Sequence, residues 1–260
     1  MSVEQTVDQI EEWVKCGRGC CRRVVVTGFH GLLRAHKDPV IRTILNGAEL
    51  WAPDGIAPVM AARFHGHRNI RRAPGMEIML EFFRRANAKG YSSYFYGDTE
   101  ATLTALQKRL QQEYPGHRIA GLFSPPFRAL TLDENINIIE KINEARPDVL
   151  WVGLGMPKQD VWIYERLDRL KVPVAIGVGA AFAFAAGTVQ RCPAWAGRMG
   201  FEWAYRFLKE PKKLWRRVLI DGPTFLLHFA LDLTDCRDLT EFVSHNATPK
   251  HFNRDADRAG

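Results

Sequence analysis

The chain has 260 residues, of which 46% are hydrophobic and 25% charged. That length and balance suit one large globular domain with a full core, and they exclude a low-complexity or disulfide-stapled chain. A formal net charge of +7 favours anionic partners: nucleic acid, phosphorylated ligands or an anionic membrane surface.

The five cysteines, Cys16, Cys20, Cys21, Cys192 and Cys236, form neither a disulfide framework nor a C-x-x-C pair. They read as reduced thiols of a cytosolic protein. The opening MSVEQTVDQIEEWV is acidic and amphipathic, unlike a signal peptide. No apolar run approaches the roughly 20 residues a spanning helix needs. A cytoplasmic protein, able to bind a surface, is expected.

In chain order, Val3, Val7, Ile10 and Val14 recur at helical spacing and predict a helix over residues 3–15. RRVVVT (Arg22–Thr27) reads as a buried strand. A helix from about Pro39 to Leu45 follows, then a short strand at Ala48–Ala52 that enters the Pro53-Asp54-Gly55 turn. Helices are expected at Ala57–Phe64 and Met76–Ala88, the second closed by Lys89-Gly90. Strands at Ser92–Tyr96, Ile119–Phe123, Val149–Gly153 and Val172–Val178 alternate with helices at Thr99–Glu113, Asp133–Ala145 and Lys158–Leu170. This rhythm predicts an α/β, Rossmann-like, mostly parallel sheet with helices on both faces. Its ligands should sit beyond the carboxyl ends of the strands.

The character changes after residue 190. Between Arg191 and Ile220 there are eight Lys/Arg against two Glu, interleaved with Trp195, Trp203, Tyr205, Phe207 and Trp215. This reads as a helical basic-aromatic appendage over 191–243, followed by a polar tail over 244–260 expected to be disordered. Such a segment can lie on an anionic membrane surface. Read on its own, it equally allows a nucleic-acid-binding Rossmann-like protein.

Several stretches could carry chemistry. In VGLGMPKQD (Val152–Asp160) a strand ends in glycines and a helix starts near Pro157, where free N–H groups could hold phosphate beside Lys158 and Gln159. An ordinary loop fits these residues as well. Asp54 stands at a strand end and could act as a general base, or simply shape a P-D-G turn. GVGAAFAFAAG (Gly177–Gly187) lets backbone approach either a ligand or a packed helix. GLFSPPFR (Gly121–Arg128) offers Phe123 and Phe127 for stacking on a base, or for plugging the core edge.

These stretches, together with R-x-x-G-x-E at Arg72–Glu77, YFYGD at Tyr94–Asp98 and GFEWAYRFLKEPKKLWRR, occur in one order across residues 20–220. In that order they resemble the WecG/TagA/CpsF family of bacterial glycosyltransferases. The resemblance implies an inverting transferase with no cofactor and no metal. It would move N-acetylmannosamine, its uronic acid or a hexose such as glucose from a UDP-sugar to a polyprenyl-diphosphate-linked sugar, in the synthesis of cell-surface or exopolysaccharide. It would work at the inner face of the cytoplasmic membrane, with nucleic acid not among its partners, and self-association is expected.

By the same resemblance Asp54 matches the catalytic base, with Thr27, Arg72 and Gln159 as further active-site residues. Donor binding falls to Tyr96, Gly97, Asp98, Phe123, Ser124, Gly153, Gly155, Pro157, Lys158, Gln159, Gly177 and Gly179. Arg206, Lys213 and Arg216 of the appendage would face acceptor diphosphate. The chain departs from the family pattern at Phe29, at Ala183 and at Asp160 of its P-K-Q-D.

Overall fold

The computed structural model describes residues 1–190, 202–209 and 211–235. The expected boundary after residue 190 and the expected disordered tail from 244 lie at or beyond the edge of the described residues.

The elements run α1 (Val3–Lys15), β1 (Arg22–Thr27), α2 (Phe29–Lys37), α3 (Pro39–Asn46), β2 (Leu50–Pro53), α4 (Ile56–Phe64), α5 (Gly75–Lys89), β3 (Ser92–Gly97), α6 (Glu100–Glu113) and β4 (Arg118–Phe123). They continue with α7 (Leu132–Ala145), β5 (Val149–Gly153), α8 (Lys158–Tyr164), β6 (Val174–Gly177) and α9 (Ala181–Ala185). Beyond residue 201 come α10 (Glu202–Lys209), α11 (Pro211–Arg216), a π-helical turn (Arg217–Asp221) and α12 (Gly222–Asp235).

The six strands form one sheet in the order β2-β1-β6-β5-β3-β4. Every pairing is parallel, so the expected α/β Rossmann-like sheet is parallel throughout. Strand side chains alternate between its two faces. Val24, Val26, Phe95, Trp151 and Ile176 join α1, α5, α6 and α9 in one core. Tyr94, Tyr96, Leu150, Val152 and Ala175 pack with α7 and α8 on the other side, and Val25 with α2 and α3. Both faces are covered, which explains why the strands read as near-continuous apolar runs.

Three elements differ from the expected ones. Helix α2 carries no start signal: its N-cap is Gly28, with no side-chain hydrogen bond, and Gly31 lies in its first turn. Helix α8 ends at Tyr164 and gives way to turns up to residue 170. Strand β6 begins only at Val174, because Pro173 has no N–H to offer a neighbour; its carbonyl instead accepts the Arg22 N–H at 2.9 Å.

Charged groups stitch the outer layers. The nearly buried Glu11 of α1 accepts from Arg85 at 3.0 Å and from Lys89 at 2.6 Å, both on α5. Beneath α8 lies a less satisfied pair. The Arg23 side chain is wholly buried; it donates to the Ile44 carbonyl and stacks on the Tyr164 ring at 5.1 Å. Its Nε and Nη1, and both carboxyl oxygens of the buried Asp160, have no hydrogen-bond partner among the described residues.

Burial pushes the Asp160 carboxyl up from its ordinary 3.8 to about 7, with Arg23 pulling the other way. Across that window the folded chain keeps a proton that the unfolded chain has released, so stability falls as pH rises through it. Asp160→Asn stays neutral and should gain stability relative to the parent as pH rises from about 4 to above about 7. Denaturant unfolding as a function of pH checks this; a pH-independent difference would show that Asp160 is ionised throughout.

Candidate active site

The carboxyl ends of the strands form a row. Following the sheet order, it holds Asp54 after β2, Thr27 at the end of β1, Gly177 and Gly179 at β6, Gly153 and Gly155 at β5, Gly97 and Asp98 at β3, and Phe123 and Ser124 at β4. From β2 to β3 the row spans about 19 Å at the usual strand spacing. The sequence-predicted site residues of the core thus lie along one edge of the sheet.

The loops at this edge are tied to one another by backbone. The Asp54 N–H donates to the Thr27 carbonyl at 2.9 Å, continuing the β1–β2 ladder by one residue. The Ala73 N–H donates to the Pro53 carbonyl at 2.9 Å, which brings the adjacent Arg72 to the end of β2 beside Asp54. Asp54 is exposed and Arg72 half-buried. Gly55, at a φ of 103°, turns the chain directly from Asp54 into α4.

Thr27 is buried, and its hydroxyl lies 3.2 Å from the Met156 sulfur. This contact crosses β6 and presses the Gly155–Pro157 loop, whose Met156–Pro157 peptide is cis, against the Asp54 side of the row. Gly31 makes the contact sterically feasible. A Cβ there would overlap the Thr27 hydroxyl and come within 2.6 Å of the Met156 sulfur and terminal carbon.

Gln159 is almost wholly buried, and its side-chain oxygen accepts the Gly179 N–H at 2.8 Å. A Cβ at Gly177 would fall 2.8 Å from its side-chain nitrogen. Gln159 therefore works as a brace between the start of α8 and the glycine loop after β6. Lys158, next to it, is exposed at the mouth.

At the far end of the row the residues divide. Asp98 sits at a φ of 58°; its carboxylate accepts the Thr99 N–H at 2.8 Å, and its carbonyl accepts the Ser124 hydroxyl at 2.7 Å. Tyr96 does not open to the mouth: only 1% exposed, it packs against Trp162 at 4.5 Å and stacks on Phe123 at 6.2 Å. Burial pushes its hydroxyl up to about 12. Phe123 is half-buried between Tyr96 and the Lys141 ammonium, which lies 5.7 Å from its ring. Phe127 is 93% exposed.

The C-terminal helices pack beside the Asp54–Thr27 end. Phe29, one of the three positions read as departing from the family pattern, meets Phe225 of α12 at 5.8 Å. His30 Nδ1 lies 3.0 Å from the Asp221 carboxylate in the π-helical turn. Arg216 is exposed, with its guanidinium 5.6 Å from the Trp215 ring. The side chains of Arg206 and Lys213 lie outside the described residues. Sequence reasoning missed Gly28, Gly31 and Met156; the small residues of the GFHG segment (Gly28–Gly31) were a signal once α2 is known to follow β1 directly.

Gly31→Ala should cost about 1–3 kcal/mol by overpacking, read as a lowered denaturation midpoint. Adding Thr27→Ala should recover part of that loss, because the two changes act on one contact. Strict additivity in this double-mutant cycle would show that the methyl is accommodated elsewhere.

The chain is similar in sequence to curated transferases. An N-acetylglucosaminyldiphosphoundecaprenol N-acetyl-beta-D-mannosaminyltransferase of Bacillus subtilis (strain 168) is 31% identical over 185 residues, covering 71% of this chain and 70% of the relative. A protein of the same name from Bacillus spizizenii is 30% identical over the same shares. One from Staphylococcus aureus (strain MW2) is 29% identical over 187 residues, 72% of this chain and 71% of its own. The model of the glycosyl transferase WecG/TagA/CpsF family matches residues 1–238. With the whole row of loop residues inside that match, the chain belongs to the WecG/TagA/CpsF family of glycosyl transferases.

Proposed function

We propose that this glycosyltransferase moves N-acetylmannosamine from a UDP donor to a sugar carried on a polyprenyl diphosphate, at the cytoplasmic face of a membrane. The activity named for its relatives supports the acceptor class and the transferred sugar. The observation that carries the reading is the placement of Asp54: an exposed carboxylate at the end of β2, bonded through its backbone to Thr27 and adjoining Arg72.

In this reading Asp54 accepts the proton of the acceptor hydroxyl as that oxygen attacks C1 of the donor sugar. The new glycosidic bond forms as the C1–O bond to UDP breaks, with inversion at C1. Positive charge stabilises the departing diphosphate; Lys158 at the mouth and the basic residues of the C-terminal helices, Arg206, Lys213 and Arg216, are the groups proposed for it. No metal is required in this scheme. Gln159 contributes by holding the glycine loop that would face the donor, and Thr27 by holding the loops together. The uronic acid of N-acetylmannosamine and glucose are the alternative transferred sugars, which a screen of UDP donors distinguishes.

Asp54→Asn should lower turnover by about 10²–10⁴ while leaving the unfolding midpoint close to that of the parent, since the side chain is exposed. UDP release dependent on a lipid-diphosphate acceptor measures the change, and parent activity should survive EDTA. Undiminished turnover in the variant would remove Asp54 from the role of base.

A further inference from the structure

The basic C-terminal segment holds a single acidic residue in its middle. From Pro211 to Leu231 the sequence contains Lys212, Lys213, Arg216 and Arg217, and Asp221 is the one Asp or Glu among them. Its carboxylate is turned towards the core. It lies 3.0 Å from His30 Nδ1, and the His30 and Asp221 side chains are only 21% and 24% exposed. Arg216 of the preceding helix is exposed.

The backbone on both sides favours this contact. Arg217–Asp221 form a π-helical turn between α11 and α12. Such a turn accommodates an extra residue and re-aims the side chains at its end. Asp221 is its last residue. On the core side, His30 is the second residue of α2, whose N-cap Gly28 supplies no side-chain hydrogen bond. Negative charge beside an uncapped first turn is favoured by the N–H groups left over there and by the helix dipole. The carboxylate is thus attracted by both the imidazole and the helix start. The apolar contact of Phe29 with Phe225, at 5.8 Å, fastens the same two elements beside it.

This fastening adjoins the chemistry. Thr27, whose carbonyl accepts the Asp54 N–H at 2.9 Å, immediately precedes the N-cap of α2. We infer that Asp221 is a positioning residue of the transferase: through His30 it fixes the basic helix α11 relative to Asp54, and so sets where its cations stand for a diphosphate. The fastening stands on the contact alone; its effect on a diphosphate rests on the proposed function.

The sign of one substitution separates positioning from simple charge. Asp221→Asn removes a negative charge from a basic segment. By electrostatics alone it would strengthen the hold on an anionic acceptor. If Asp221 positions the helix, the same change weakens that hold. The full chain, Asp221→Asn, His30→Gln and the double variant should be compared in acceptor-dependent UDP release and in limited tryptic digestion of the C-terminal helices. Either single change should raise the acceptor KM about tenfold, leave kcat at saturating acceptor within about twofold, and speed digestion about fivefold. The double variant should be no worse than either single one, because all three remove one contact. Exchanging the partners, His30→Asp with Asp221→His, should recover most of the loss.

A lowered or unchanged KM in Asp221→Asn would overturn the inference, and so would additive losses in the double variant. A fall in kcat with KM unchanged would also overturn it, since Asp221 would then act in the chemistry itself. If the parent transferred sugar to no lipid-diphosphate acceptor, the proposed function would fail and the role towards a diphosphate with it. Digestion would then decide the fastening alone: non-additive changes would support it and additive ones would overturn it.

Discussion

Thr27 is the joint on which the site's geometry depends. Its carbonyl accepts the Asp54 N–H at 2.9 Å, and its hydroxyl lies 3.2 Å from the Met156 sulfur. One residue thus links the loops that follow β1, β2 and β5, although β6 lies between β1 and β5. A parallel sheet sets all its strand ends at one edge but leaves the loops free to diverge. Here they are held by backbone hydrogen bonds and by a contact so close that a Cβ at position 31 would collide with the Thr27 hydroxyl. Groups fixed in this way lose little freedom when a substrate binds, which is how positioning contributes to rate.

A second layer supports the first from below. Gln159 braces the glycine loop after β6 through the Gly179 N–H, while its neighbour Asp160 faces inward near the buried Arg23. The start of α8 therefore presents an exposed Lys158 to the mouth, an amide to the next loop and a carboxyl to the interior in three successive residues. The carboxyl is the costly member, since burial favours its neutral form. Asp160 therefore links the chain's stability to pH at the start of α8.

The C-terminal helices are part of the same assembly. Phe225 and Phe229 stack on one another at 6.2 Å and reach Phe29 and Phe64, at the first and last residues of α2 and α4. Both of those helices begin at the mouth, one after Thr27 and the other after Asp54. A basic segment distant in sequence is thereby anchored to the two helices nearest the carboxylate. Among the described residues no helix is long and apolar enough to cross a membrane.

Much of this was legible from residue order. The β-branched run at Arg22–Thr27, the Lys89-Gly90 stop and the alternation of apolar strands with amphipathic helices specify a parallel sheet covered on both faces, because periodicity and caps are local properties. Motif order likewise pointed to the family, and Asp54 stands directly after β2, as the sequence placed it. Other features depend on contacts between residues far apart, which no local pattern encodes. Helix α2 lacks a cap because Gly28 and Gly31 are required by packing, so its sequence looks like a loop. Tyr96 and Gln159 look like ligand groups in their motifs, yet the fold buries one against Trp162 and engages the other with Gly179. Phe29, read from the sequence only as a departure from the family pattern, packs against Phe225. The sequence by itself determined the strands and most of the helices, α2 and α9 apart, and which residue types line the strand ends. Only the tertiary structure decided which of those side chains remain open, because exposure is settled by what the rest of the chain packs over them.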